Sequence, residues 1–177
     1  MTAIVAAFSL FLGSCSTDMM DETETMVAEK IKNESLLKSG NSSQNKLLAQ
    51  VRKATAKYHR IEAALADGYE PGSECVYVEG LGGMGYHYVN QGLVDPVFDP
   101  FVPEVLMYEP DADGKLHLVG VEYIIIDIGQ DHPYFGNHPM DIGGTPVPVD
   151  HYSLHVWIWK ENPSGMYFPM NPNVSCN

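Results

Sequence analysis

The sequence predicts an α+β domain in which an amphipathic helix packs against an antiparallel β-sheet of four to five strands. Three observations lead to this prediction. An apolar stripe of helical period follows Ser42, four later segments are rich in β-branched and aromatic residues, and a tight turn joins two of those segments. A small closed β-barrel is the alternative, because the same strands could close on themselves.

The predicted helix follows Ser42 and Ser43, either of which can accept hydrogen bonds from first-turn N–H groups. Gly68 suits the left-handed position just past a helix end. Apolar residues at spacings of three and four would form the face that meets the sheet: Leu47, Val51, Ala54, Tyr58, Ile61 and Leu65.

The strand prediction rests on composition and on turn residues. Residues 110–114, PDADG, predict a hairpin turn rather than a calcium loop, since the remaining spacing and terminal Glu of an EF-hand are absent. Residues 129–148 predict a long irregular connection of a kind that is often functional or mobile. The four predicted strands are 85–89, 104–109, 116–127 and 151–159.

The first fifteen residues, MTAIVAAFSLFLGSC, predict an export signal. The uncharged apolar run 3–12 has the length of a signal-peptide core and is too short to span a bilayer. The LGSC that follows resembles the lipobox of bacterial lipoproteins, in which Cys15 would be lipidated. No Lys or Arg precedes the run, so an ordinary cleaved signal or a buried strand stays open.

This interpretation divides the chain into three parts. Residues 1–15 form the signal peptide with its lipobox, and residues 16–41 form a polar, flexible tether. Residues 42–177 form one globular domain, of ordinary size for a single core. A lipid at Cys15 would anchor this domain to a membrane on the extracytoplasmic side, in the periplasm or at the cell surface.

Lipidation of Cys15 leaves Cys75 and Cys176 as an even pair. In an exported domain such a pair predicts a disulfide, which would tie the C-terminal tail to the loop after the helix. Two free thiols, or two metal ligands, are the alternative.

The net charge of −13 at pH 7 argues against nucleic-acid binding, which requires clustered Lys and Arg. Only Lys115 and Lys160 are basic beyond Arg60. The surface is therefore either simply self-repelling or attractive to cations and cationic ligands.

The segment DHYSLHVWIW contains two histidines four residues apart. On a strand this spacing separates them by about 13 Å, so they cannot share one ion. They do share a face, which predicts the lining of a ligand pocket that is half polar and half aromatic. That lining is His151, Ser153, His155 and Trp157, continuing to Trp159.

Glu122 interrupts a strand that otherwise reads as buried on both faces. A buried carboxylate must find a partner or a proton, so Glu122 is a candidate catalytic base or metal ligand. A neighbouring strand could bring His87 opposite His155 and complete a His87, Glu122 and His155 metal site. The alternative is an ion pair of Glu122 with the basic helix residues, Arg52, Lys53 or Arg60.

A transition metal, zinc or copper, is the cofactor that these residue types would hold. Two further groups could contribute ligands. His132 and His138 lie in the long connection, which could cover the sheet. Thioethers could make a soft copper site, although methionines more often fill cores; they are Met84, Met107, Met140, Met166 and Met170.

The strings GMGYHYVN, PEVLMYEP, LVGVEYI and HYSLHVWIWKENPSGMY together resemble a family of exported bacterial lipoproteins. The resemblance covers most of the chain from Gly68 to Cys176. It implies an exported single domain and implies no reaction.

Three hypotheses of function follow. The first is a lipid-anchored domain that binds a metal ion or small ligand in a His/Glu/Trp-lined pocket. The second is a metal-dependent or acid–base enzyme in which Glu122 acts with a histidine. The third is a structural or interaction module of the cell envelope.

Overall fold

The computed structural model describes residues 18–144 and 147–176 of the chain. The predicted signal peptide and the lipobox, including Cys15, lie outside these residues. The chain forms two compact units, Met1–Asn41 and Ser42–Asn177. In the first unit the described residues are helical and, over 25–36, exposed; flexibility of this predicted tether stays a prediction. In the described part, no helix is both long and apolar enough to cross a bilayer.

Helix α1 spans Asp18–Thr55, so it begins well before the serines that were expected to cap it. It also ends earlier than expected, because a 3-10 turn, Ala56–His59, and helix α2, Ile61–Ala66, follow. The break has a tertiary cause, since the Tyr58 carbonyl accepts a hydrogen bond from the Tyr108 hydroxyl at 2.7 Å. Gly68 takes the predicted left-handed conformation, with φ at +90°.

The predicted α+β fold is confirmed, and the sheet is open rather than a closed barrel. Four strands carry it: β3 Gly82–Val89, β4 Val105–Pro110, β5 Leu116–Ile126 and β9 His151–Val156. Short strands extend this sheet to seven: β1 Glu70–Pro71, β2 Val76–Val78 and β8 Asp141–Ile142. A separate pair is formed by β6 Tyr134–Phe135 and β7 His138–Pro139.

The strands pair antiparallel in the order β1-β3-β4-β5-β9-β8, with β2 also pairing with β3. The β4–β5 pairing follows from a local connection, since the two strands are joined by the predicted turn, where Gly114 has φ at +79°. The expected count of four to five strands missed the two- and three-residue strands because so short a segment carries no period to recognise.

One face of the sheet packs against the C-terminal part of α1 and forms the main core. Leu48 and Val51 of the helix belong to the same buried cluster as strand residues of β4, β5 and β9. Those strand residues are Leu106, Tyr108, Leu118, Val121, Tyr123, Ile125, Tyr152, Leu154 and Val156.

A β-bulge decides which face Glu122 occupies. Met107 pairs with Gly120 but Tyr108 pairs with Leu118, so Val119 is an extra residue in β5. Without it, Leu118 and Glu122 would share a face, because side chains alternate along a strand. With it, Leu118 joins the core and Glu122 points away from the helix.

The predicted disulfide is present between Cys75 and Cys176, which are 101 residues apart in sequence. It ties the C-terminal tail to the segment that precedes β2. The tail also crosses the end of β3 closely, since a Cβ at Gly82 would lie 2.3 Å from the Asn171 carbonyl oxygen.

Candidate metal centre

Three predicted residues converge on the sheet face that the helix leaves uncovered. Glu122 of β5 pairs directly with His155 of β9, whereas His87 lies on β3. Three strand spacings separate β3 from β9, about 14 Å in a flat sheet. The centroids of the His87 and His155 rings are nevertheless only 5.9 Å apart. The expectation that His87 lies directly opposite His155 is therefore wrong. The two side chains approach each other although their strands are not neighbours.

The ligand atoms of the three residues are spaced as ligands of one ion would be. His87 Nε2 lies 3.7 Å from one Glu122 carboxylate oxygen, and His155 Nε2 lies 3.8 Å from the other. All three ligand atoms lie within 4.8 Å of one another. Nitrogen and oxygen atoms about 2.1 Å from a tetrahedral ion are about 3.4 Å apart, so the three side chains would have to move closer together to bind one ion. Direct hydrogen bonds would require a closer approach.

The hydrogen bonding of the two histidines differs. His87 Nδ1 lies 3.1 Å from Ser73 Oγ, and its backbone N–H donates to the same oxygen. His155 Nε2 is buried and has no hydrogen-bond partner among the described residues. An unsatisfied buried nitrogen costs stability, so it calls for an explanation such as a bound ion.

Burial shifts the pKa of each of the three groups toward its uncharged form. Burial lowers the pKa of His155 to about 4, against a small opposing effect of Asp141. Burial also lowers the pKa of His87, although the Glu122 charge opposes this. Burial raises the pKa of Glu122, opposed by His87 and His151. Near neutral pH both imidazoles are therefore uncharged, which is the form that binds metals.

The three residues line a cavity of about 580 Å³. This volume is within the range of sites that bind small molecules. His151 and Ser153, two of the predicted pocket residues, also line it. The connection between β8 and β9 contributes Gly143, Gly144, Val147 and Pro148, so part of the predicted long connection lies at this cavity.

The two tryptophans lie elsewhere. Trp157 packs with Met107, Val119 and Val174, and its Nε1 donates to the Phe168 carbonyl, so it does not line the cavity. Trp159 lies on the helix side, where its Nε1 donates to Thr55 Oγ1 at 3.3 Å. The cause is that β9 ends at Val156, so the alternation expected to continue to residue 159 stops there.

The histidines of the long connection are not part of the centre. His132 Nε2 contacts the Met140 carbonyl at 2.8 Å, and His138 stacks on Tyr167 at 4.0 Å. The five methionines do not cluster either. Met84 and Met170 line the cavity, whereas the others are buried or packed against core: Met107, Met140 and Met166.

The ion pair between Glu122 and the helix is not formed, because Glu122 lies on the sheet face opposite to its neighbours Val121 and Tyr123, which join the core under the helix. Arg52 instead donates from Nε to the Ile158 carbonyl at 2.7 Å. Lys53 and Arg60 are exposed.

Ser73 and Glu104 carried no clear sequence signal. Ser73 is one of many loop serines, and only the fold brings it to His87. Glu104 precedes β4 and looked like an ordinary strand end, yet it is 2% exposed. Its carboxylate accepts the Ile124 N–H at 3.0 Å, and burial raises its pKa to about 8.

Replacing Glu104 by Gln is expected to raise the free energy of unfolding at pH 7 by roughly 3 kcal/mol. In the folded chain Glu104 keeps its proton up to about pH 8, whereas the unfolded chain loses it near pH 4.5. The folded state therefore binds more protons between these values, and wild-type stability falls as pH rises. Urea unfolding at pH 4 and pH 7 measures this: the two proteins should agree at pH 4 and diverge at pH 7. If the free energies of unfolding of the two proteins changed in parallel with pH, the prediction would be contradicted.

Fold and site together define an α+β protein with a largely buried His/Glu/His group that could hold a metal ion at a cavity. The chain matches no protein-family model, no curated protein and no solved structure. Inference about its function therefore rests on the residues themselves.

Proposed function

We propose that this chain is a lipid-anchored extracytoplasmic protein whose domain binds a transition-metal ion through His87, Glu122 and His155. The convergence of their three ligand atoms within 4.8 Å, one of them a buried nitrogen without a partner among the described residues, is the observation that carries the proposal. The LGSC string supports the anchor. The disulfide supports an oxidising compartment, where such bonds persist.

Zinc is the metal that the donor set fits best. Two imidazole nitrogens and one carboxylate form a ligand set that zinc uses in catalytic sites, where the fourth position stays open. Here the fourth position would face the cavity. Copper is the competitor, because Met84 and Met170 line the same cavity.

Elemental analysis of the full chain tests the proposal. The protein is purified with its disulfide oxidised and without a histidine tag, then incubated with zinc and, separately, with copper. One equivalent of metal is expected, and His87→Ala and His155→Ala should lose it while remaining folded. His117→Ala is the matched control, since His117 is exposed and pairs with Asp111 instead. A chain that stays metal-free, or loses metal equally in the control, would contradict the proposal.

Acid–base catalysis by Glu122 with a histidine is the second candidate function. Burial raises the pKa of Glu122, which is the property that a general acid or base requires near neutral pH. The histidine nitrogens would have to move closer than the present 3.7 and 3.8 Å to exchange a proton directly. A metal-free protein would favour this candidate or a structural role.

Ser73→Ala is expected to weaken metal binding about 10- to 100-fold, the usual effect of removing a partner behind a histidine ligand. Ser73 Oγ can accept the Nδ1–H of His87, and in that tautomer the Nε2 lone pair is available to a metal beside Glu122. Competition with a zinc chelator of known affinity measures the change.

Ser73→Thr is the matching variant, because it retains the hydroxyl. It should restore most of the affinity if the hydrogen bond matters. Equal zinc affinities in the wild type and in both variants would show that Ser73 does not position His87.

A further inference from the structure

The cavity has a second polar end. His151 lines it four residues before His155, about 13 Å away along β9. Its Nδ1 lies 2.7 Å from the Val149 carbonyl, and because a carbonyl only accepts, Nδ1 must carry the proton. In the tautomer that carries its one proton on Nδ1, Nε2 is an acceptor. Nε2 lies beside Gly144, where a Cβ added to the glycine would be 3.3 Å from it.

Most of the remaining cavity lining is aliphatic. Ile124 pairs with Ser153 midway between the Glu122–His155 pair and the end of the strand at His151. The Ser153 hydroxyl is already used, since it donates to the Gly143 carbonyl at 2.7 Å. The aliphatic wall residues include Val76, Val89, Val94, Val105, Val147 and Pro169.

The charge of the lining restricts the ligand. Among the described residues no Lys or Arg lines the cavity, whereas Glu122 and Asp141 both do. A phosphate or polyanion would therefore find no cationic side chain. A divalent ion bound to one carboxylate would keep a net positive charge. One coordinating group of the ligand could neutralise that charge.

We propose that this cavity takes a short aliphatic molecule with a metal-coordinating group at one end and a hydrogen-bond donor at the other. The coordinating group occupies the open position on the ion at His87, Glu122 and His155. The donor bonds to Nε2 of His151, and the chain between them lies against Ile124 and the valine walls. This inference rests on the proposed metal site.

Titration of the cobalt-loaded full chain with straight-chain hydroxamates tests it. The cobalt absorption bands first show whether the metal binds. Shifts of these bands then measure the binding of each hydroxamate, from acetohydroxamate to octanohydroxamate. Affinity should rise about fourfold per methylene until the chain spans the cavity, the effect of burying one methylene. An ω-hydroxyl on the longer chains should add roughly twofold to tenfold.

Two variants separate the contribution of the ω-hydroxyl to affinity from the contribution of the aliphatic chain. His151→Leu should abolish the ω-hydroxyl gain and keep the chain-length dependence. Val94→Phe should narrow the cavity and stop the gain at a shorter chain; in both, the cobalt spectrum verifies an intact centre. Cobalt binding with no dependence on chain length would overturn this inference and leave the metal site standing. Absence of binding of cobalt, zinc and copper alike would overturn both.

Discussion

Removing the Cys75–Cys176 disulfide is expected to lower the free energy of unfolding by about 4–5 kcal/mol. The bond closes a loop across 101 residues, and a cross-link of that length removes much of the entropy of the unfolded chain. That amount is a large fraction of the stability of an ordinary domain. Urea unfolding of the oxidised wild type and of the Cys75→Ser/Cys176→Ser double variant measures the difference.

The same variant should bind zinc more weakly where it is still folded. Cys75 lies between Ser73 and Val76, which line the cavity, and the tail that it ties down contributes Pro169 and Met170. Release of the tail would loosen both walls, and with them the contact of Ser73 with His87. A reductant should shift the wild type toward the double variant and leave the double variant unchanged. Identical unfolding curves for the two proteins would contradict the expected stabilisation.

The sequence predicted the elements whose signals are local. The apolar runs of β4 and β5 and the PDADG turn lie in adjacent segments, so pairing and topology follow with few alternatives. The interruption of the helix near Tyr58 was not predictable, because its cause is a hydrogen bond from Tyr108, fifty residues away. Tertiary contacts of this kind override local propensity.

The metal centre was only partly predictable, because some of its features have a local signal and others depend on the fold. Glu122 was conspicuous because a carboxylate in a buried strand requires a partner wherever it points. Its face could not be read from the sequence, since the bulge at Val119 shifts the alternation by one residue. Ser73 and Glu104 were missed because the fold, not their neighbours in sequence, buries or partners them.

Glu122→Leu is expected to make the metal-free protein more stable by about 1–3 kcal/mol. The carboxyl group is largely buried, its pKa is raised, and no hydrogen bond from His87 or His155 compensates at 3.7 and 3.8 Å. Replacing buried ionisable groups by apolar ones of similar size is often stabilising by this amount. The side chain of Leu would lie beside Val105, the β4 residue that pairs with Glu122.

Zinc should reverse this order of stability. At a free concentration about 1,000 times its dissociation constant, zinc would stabilise the wild type by about 4 kcal/mol and the variant by nothing. Urea unfolding of both proteins, with zinc and with a chelator, measures all four values. Glu79→Leu is the control, because Glu79 is exposed and this variant should respond to zinc as the wild type does.

A residue that serves ligand binding lowers stability when the ligand is absent, whereas a structural residue does not. If the metal-free wild type is more stable than Glu122→Leu, and if zinc does not stabilise the wild type, Glu122 would belong to the fold rather than to a metal centre.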